Sequence, residues 1–470
     1  MAHRSGSAAP PAVVLATLAV LAGAWVPRPA TGQESPPVGP DTVVVSLRAA
    51  EAAALRNHPE VRQAAIDVAI SKTRHDQAEH ARFFPKLELR NVWGPITRAR
   101  GEFSETGVLF SPDTANSLSD IRWFTQVELE ALQPIHTFGR VDGLIDAAES
   151  GVQASQAGLA ASTAEVRLQV RRLYWGVVLG EELVALGDDV LETLAEAEDI
   201  LEQRDAEGSV SQNDLFRFEI LSYQVHKRYR EGVDRLELAR AGLRAAMGLE
   251  PDVPIRPEAE SLEVLEARLS GLGRYLDLAQ ANRPEVDRLE AGIAARASLA
   301  RSKRAEQWPQ LFLGAQLVWN VAPSRFDPEN PFVYNPTNFF RPGVVVGFNW
   351  NANVFRTRDE ARLAEHEQAR LESGVQPLRE KIRLEVREAF LEASRAAADL
   401  EESRRALRAS ENWFRAEQQT FDIGVGELSD LVDAFQANVE MRTDHLQNIF
   451  NYNAAVAKLS RAVGVDVHED

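Results

Sequence analysis

Two carboxylates, Asp430 and Asp433, stand three residues apart just after the turn Ile423-Gly424-Val425-Gly426. On a helix that spacing puts both on one face. Acids placed there either complement the positive end of the helix dipole or, where several copies surround a passage, form rings that select cations. The residues alone favour the dipole. Catalytic patterns are incomplete. His366-Glu367 opens a zinc-protease motif, but Arg370 stands where the second histidine is needed. His75 and His80 are five apart and do not share a helix face. Gly424-x-Gly426 lacks the third glycine and the preceding strand of a dinucleotide site. Cysteine is absent, which excludes disulfides, thiol nucleophiles and iron–sulfur clusters. The expectation is a protein that is not an enzyme and has no cofactor and no metal.

The elements that position these acids belong to a duplicated chain. Asn57-His58-Pro59-Glu60-Val61 recurs as Asn282-Arg283-Pro284-Glu285-Val286, and Phe84-Pro85-Lys86-Leu87 as Trp308-Pro309-Gln310-Leu311. Downstream the spacing settles at 216 residues. Leu168-Gln169-Val170-Arg171 matches Leu384-Glu385-Val386-Arg387, Gly208 matches Gly424, Asp214-Leu215 matches Asp430-Leu431, and Met247-Gly248 matches Val463-Gly464. Ordered landmarks at a fixed period mark a structural repeat. The repeats are read as 47–253 and 272–470. A Pro-rich linker, 254–271, lies between them and is expected to hold a short charged helix at Ser261 to Ser270.

Each repeat begins with an Ala-rich helical stretch, broken in the first copy at His58-Pro59. A hairpin follows, at about 86–132 and 310–354. Leu87, Leu89 and Trp93 alternate with Glu88, Arg90 and Val92, and Leu311, Leu313, Ala315, Leu317 and Trp319 with Phe312, Gly314, Gln316 and Asn320. Period-2 alternation over about ten residues is the pattern of a tilted membrane strand. Trp93, Trp123, Trp319 and Trp350 stand where interfacial aromatics belong, and Gln126, Glu128 and Glu130 are expected to line a barrel lumen. Long polar segments, about Arg98 to Asp120 and Val321 to Arg341, join the strands. The remainder is helix. From Phe138 to about Arg204 one helix would run about 100 Å. Positions 386 to 421 carry a seven-residue repeat that includes Arg404 and Glu411 in its seam. Four strands cannot close a barrel alone, so transmembrane strands require several chains in one barrel.

With 70 acidic against 52 basic residues and a net charge of -18, nucleic acid is not an expected partner. Residues 1–32 read as a secretory signal peptide with an apolar run from Ala12 to Ala24 and small residues at Ala30-Thr31-Gly32. Residues 33–46 read as an extended segment.

Across its mature length the chain resembles the TolC-like outer-membrane efflux proteins. The carriers are the duplicated Asn-x-Pro-Glu-Val and aromatic-Pro-x-Leu motifs, the two hairpins, the Phe421-Asp422-Ile423-Gly424 turn, Asp430-Leu431-Val432-Asp433-Ala434 and Tyr452-Asn453-Ala454-Ala455. The resemblance implies a mainly α fold with a membrane β-barrel. Long coiled-coil helices form a periplasmic tunnel, and a homotrimer shares a twelve-stranded barrel in the outer membrane of a Gram-negative-type bacterium. It implies docking to a periplasmic adaptor and an inner-membrane transporter, as the exit duct of an efflux pump or type I secretion system. It turns Asp430, Asp433 and Asp214 into a pore constriction. Gly208, Ser209, Val210, Gly424, Val425 and Gly426 become tip residues that meet the adaptor. The chain departs from lipid-anchored members in having no cysteine. It departs from the best-known member in carrying Gly426 where that protein has a basic residue. The competing reading is a secreted coiled-coil protein without a pore.

Overall fold

The computed structural model describes residues 42–97, 101–103, 109–112, 121–206, 212–323, 325, 327, 332, 335, 337–423, 425 and 428–467. The signal-peptide reading lies outside them. In the first repeat β1 (Val43–Val45) leads to α1 (Leu47–Asn57) and α2 (Pro59–Phe83). Ser46 caps α1, its hydroxyl accepting from the Ala49 N–H at 3.2 Å. Pro59 opens α2, where its missing N–H costs no hydrogen bond. The strands are β2 (Lys86–Thr97), β3 (Gly101–Phe103), β4 (Leu109–Pro112) and β5 (Ile121–His136). α3 (Arg140–Ala206) is one helix of 67 residues, and α4 (Gln212–Met247) returns. After β6 (Ile255–Pro257) the second repeat holds α5 (Leu272–Asn282), α6 (Pro284–Ala305), β7 (Gln310–Val321) and β8 (Phe339–Asn349). It ends with α7 (Val354–Glu372), α8 (Val375–Asp422) and α9 (Leu428–Val463).

One four-stranded antiparallel sheet, in the order β2-β5-β7-β8, joins the two hairpins. The core lies midway along α3, against the first half of α8 and the last turns of α9. Val166, Val170, Val177 and Val178 of α3 meet Val386, Ala389 and Ala393 of α8, Val456, Leu459 and Val463 of α9, and Ala50 and Ala54 of α1. Small and β-branched side chains let these backbones approach closely over a dense interior.

Four expectations need correction. The linker has no helix at Ser261 to Ser270. Its backbone groups are satisfied from outside instead. Buried Asn453 accepts from Leu265 N–H at 2.9 Å and donates to Glu263 C=O at 2.8 Å, Tyr452 donates to Ala267 C=O, and Tyr275 accepts from Ser270 N–H. β6 also pairs in parallel with β1. Second, the long outgoing helix of the second repeat is divided into α7 and α8 at Ser373-Gly374. Pro377 cannot continue a helix interior but fits the first turn of a new one. Third, β5 runs on to His136 through a bulge between Pro134 and His136, and β8 ends at Asn349, before the expected Val354. Fourth, the segment after Arg98 is not wholly irregular, because β3 pairs with β4.

Candidate functional site

The strand register sorts the sheet by polarity. On one face lie Leu87, Leu89, Asn91, Trp93 and Pro95, opposite Ala131, Leu129, Val127, Thr125 and Trp123. Ala315, Leu317 and Trp319 of β7 continue it, as do Val344, Pro342 and Phe340 of β8. No strand residue on that face is charged. Lys86, Glu88, Arg90, Arg122, Glu128, Glu130 and Arg341 all lie on the opposite face, together with Gln126 and Gln316. Gln316 Nε2 donates to Glu128 Oε1 at 2.7 Å. Gln126, Glu128 and Glu130 therefore share one face. Arg90, Arg122 and Arg341 join them, although only Gln126, Glu128 and Glu130 were singled out for the lumen.

The apolar face carries aromatics near both ends. Trp93 and Trp123 stand with ring centroids 5.5 Å apart at the end joined by the long segments, with Trp319 and Phe340 paired close by. Trp350 lies at the other end, just past β8, and its indole N–H donates to Gln307 C=O at 3.1 Å. Phe138 stacks on Trp308 at the same end. From Leu311 to Trp319 the strand rises about 26 Å at ~3.3 Å per residue. At a tilt of about 35–45° it climbs about 19–22 Å, most of the roughly 25 Å apolar band of a membrane barrel. No described helix is long and apolar enough to cross a membrane.

At the far end, Asp430 and Asp433 fall in the first turns of α9 and both are exposed. Ile423 and Val425 beside them are 75% and 76% exposed, apolar side chains presented at a tip. Gly208, Ser209, Val210, Gly424, Gly426 and the Asp214 side chain lie outside the described residues. The hairpin leading to the tip has polar rungs that the seven-residue pattern misplaced. Ser403 and Ser410, not Arg404 and Glu411, are buried between α8 and α9. The seven-residue period itself holds, with Ala389, Ala396, Ser403 and Ser410 buried beside Val386, Ala393 and Leu400, so the seam takes the residue three places on from each of the latter positions rather than four. Ser403 Oγ lies 3.0 Å from His445 Nδ1, Asn438 Nδ2 donates to Ser410 Oγ at 3.4 Å, and Phe414 meets Phe435. Burial, and then Arg404, holds the His445 pKa below its ordinary value.

Between tip and sheet, buried Arg171 donates to Glu51 Oε1 and, through both terminal nitrogens, to Asp466. Burial alone would lower its pKa, yet the two carboxylates outweigh that and the net shift is upward. Nothing in the repeat pattern links residues 51, 171 and 466. His75 is not near a second histidine; its ring approaches Asp76 and Glu79, with possible ligand atoms within 4.8 Å, on an exposed stretch of α2. Glu367 of the incomplete protease motif is held by Arg296. The arrangement offers a sheet with one uncharged face and one charged face, and two exposed acids in the first turns of α9.

Residues 52–249 match the outer membrane efflux protein family. The cobalt-zinc-cadmium resistance protein CzcC of Cupriavidus metallidurans is 25% identical over 233 residues, 48% of this chain; the chain spans about half the length, 51%, of that relative. The fold extends much further. A membrane protein from Pseudomonas aeruginosa superposes with a TM-score of 0.70 at 18% identity, covering 91% of this chain and 92% of that one. CusC gives 0.69 at 15%, covering 92% and 96%. The open-state MtrE outer membrane channel of Neisseria gonorrhoeae gives 0.68 at 18%, covering 90% and 89%. The resemblance to TolC-like efflux proteins holds, and the fold is that of these outer-membrane channels.

Proposed function

We propose that this chain is one of three copies of an outer-membrane exit duct, a passive conduit that docks at its tip to a periplasmic adaptor and an inner-membrane transporter. The observation that carries the reading is the sheet. Its charge-free face fits lipid, its charged face fits water, and β2 and β8 are left as open edges. An open edge in hydrocarbon costs several kcal/mol per unpaired group, so it must be covered by another chain. Three copies place twelve strands in one barrel, an allowed number. The long helices then surround the continuation of the same passage.

Asp430 and Asp433 form two stacked rings of three carboxylates at the narrow end, with Asp214 of the first repeat beside them. Rings of this kind attract cations and can gate. Ile423 and Val425, with the turn residues 208–210 and 424–426, provide the adaptor surface. Energy for transport comes from the partner machinery. CzcC is named for cobalt, zinc and cadmium resistance, which makes divalent metal ions the first cargo to test. The duct reading is tested by reconstituting purified protein into lipid vesicles loaded with a small water-soluble dye. Release that depends on the folded protein supports a conduit. Tight vesicles containing correctly folded, inserted protein contradict it.

A further inference from the structure

The two hairpins obey one register. Leu87 corresponds to Leu311, 224 residues on, and Phe138 to Phe355, 217 residues on. Applying the first spacing to β2 and the second to β5 turns the pair Leu87–Ala131 into Leu311–Phe348, and Trp93–Thr125 into Leu317–Pro342. Both are observed pairs. The repeats are therefore superposable at the level of single strand residues.

The joint between the repeats inside the chain is the β5–β7 pairing, with Leu129 opposite Leu317 and Glu128 opposite Val318. The same two correspondences carry β5 onto β8 and β7 back onto β2. Leu129 becomes Val346 and Leu317 becomes Trp93; Glu128 becomes Val345 and Val318 becomes Gly94. The faces agree, because Val346 and Trp93 both lie on the charge-free face. A shift of one residue would break that agreement.

The surfaces involved are bare in the single chain. Leu87 on edge strand β2 is 66% exposed, against 41% for its counterpart Leu311 on interior strand β7. The helices repeat the contrast. Leu384 of α8 is 67% exposed and Leu391 is exposed as well, while their counterparts are sheltered: Trp175 is 6% exposed in the core shared by both repeats, and Leu168 packs against that core. What the first repeat buries against the second, the second presents to solvent. The occupant that fits is the first repeat of another copy.

We infer that β8 of one copy pairs antiparallel with β2 of the next, with Val346 opposite Trp93 and Val345 opposite Gly94 of the neighbouring copy. This rests on the shared-barrel reading and gives it a register.

The chain has no cysteine, so paired substitutions report the register directly. Within one chain β2 and β8 are separated by β5 and β7, about 14 Å at ~4.8 Å per strand. A disulfide needs Cβ atoms ~3.5–4.5 Å apart, so a bond between these strands joins copies. Two variants, Trp93→Cys/Val346→Cys and Gly94→Cys/Val345→Cys, place one pair on each face. Successive antiparallel pairs alternate between wide and narrow, so one of the two falls at the narrow spacing. They share no residue, and each decides the question if the other fails to fold. The expected result on oxidation of the full-length protein in membranes is a ladder of covalent dimer and trimer. The shifted pairs Trp93→Cys/Val344→Cys and Val92→Cys/Val345→Cys should crosslink at least ~10-fold more slowly, because diagonal neighbours lie about 7–8 Å apart. Faster bonding in a shifted pair would overturn the register and leave the shared barrel standing. Absence of bonding in every pair, from protein with intact helical circular dichroism, would overturn both.

Discussion

Gly464 lies against Asn282 so closely that a Cβ at 464 would stand 2.5 Å from the Asn282 carbonyl oxygen, and its backbone has φ +88°. The first repeat contains the same joint. Gly248 has φ +69°, its added Cβ would stand 2.6 Å from Asn57 Cβ, and Asn57 Nδ2 donates to Met247 C=O at 3.0 Å. The motif Asn-x-Pro-Glu-Val thus meets the glycine that ends each return helix. Each repeat is closed on itself where its first and last helices cross.

That joint predicts the cost of a single methyl group. Gly464→Ala and Gly248→Ala combine a left-handed backbone with a steric clash, and each should lower stability by about 1–3 kcal/mol. Thermal unfolding of the detergent-purified protein measures it. Gly151→Ala, on α3 with open space around it, should leave the melting temperature unchanged or slightly raised.

The ion cluster around Arg171 predicts a larger loss. Arg171→Met removes the cation and leaves Glu51 and Asp466 half-buried beside an apolar side chain, at a cost of about 3–5 kcal/mol. Arg171→Lys should recover only part of it, since an ammonium cannot span two carboxylates as the guanidinium does. Denaturant titration of the three proteins gives the order wild type, Lys, Met.

The two faces of the sheet predict opposite tolerance to charge. Leu313→Arg puts a cation on the lipid-compatible face and should cost about 2–4 kcal/mol of membrane stability, with reduced insertion. Gln316→Arg, three residues along on the charged face, should insert normally. Outer-membrane fractionation of both variants checks this, and equal insertion would mean the faces are not sorted by lipid.

His445 gives the hairpin a pH dependence whose sign follows from its environment. Burial and Arg404 hold its folded pKa below the unfolded value, so the unfolded chain binds the proton more readily. Stability then rises with pH through that interval and falls as pH drops below about 6.5. His445→Gln should flatten the difference between melts at about pH 7.5 and about pH 5.5. An unchanged difference would place the acid sensitivity elsewhere.

Much of this architecture is legible in the residues because it is periodic or duplicated. Alternation marks β2, β5, β7 and β8, the absence of proline marks α3, and the paired motifs mark both repeats. What escaped the reading depends on distant partners. Ser261 to Ser270 in the linker resembles a charged helix in composition, but Asn453 and Tyr452, nearly two hundred residues away, bond its backbone in a non-helical path. Arg171 joins residues that no local pattern connects. The seam of α8 passes through Ser403 and Ser410 because the residue three places on from Leu400 and Leu407, not the one four places on, is buried, and both spacings keep the same seven-residue period. Asp430 and Asp433 were visible as a spaced pair, and the ring role proposed for them requires further copies of the chain.

The central claim is a water-filled duct narrowed by those two acids. Single-channel conductance of the purified protein in a planar lipid bilayer tests it, with Asp430→Ala/Asp433→Ala measured beside the parent. The account predicts small discrete openings, cation-selective and blocked by divalent cations, that grow and lose their block in the double variant. No openings from folded, inserted protein, or block that survives loss of both acids, would contradict it.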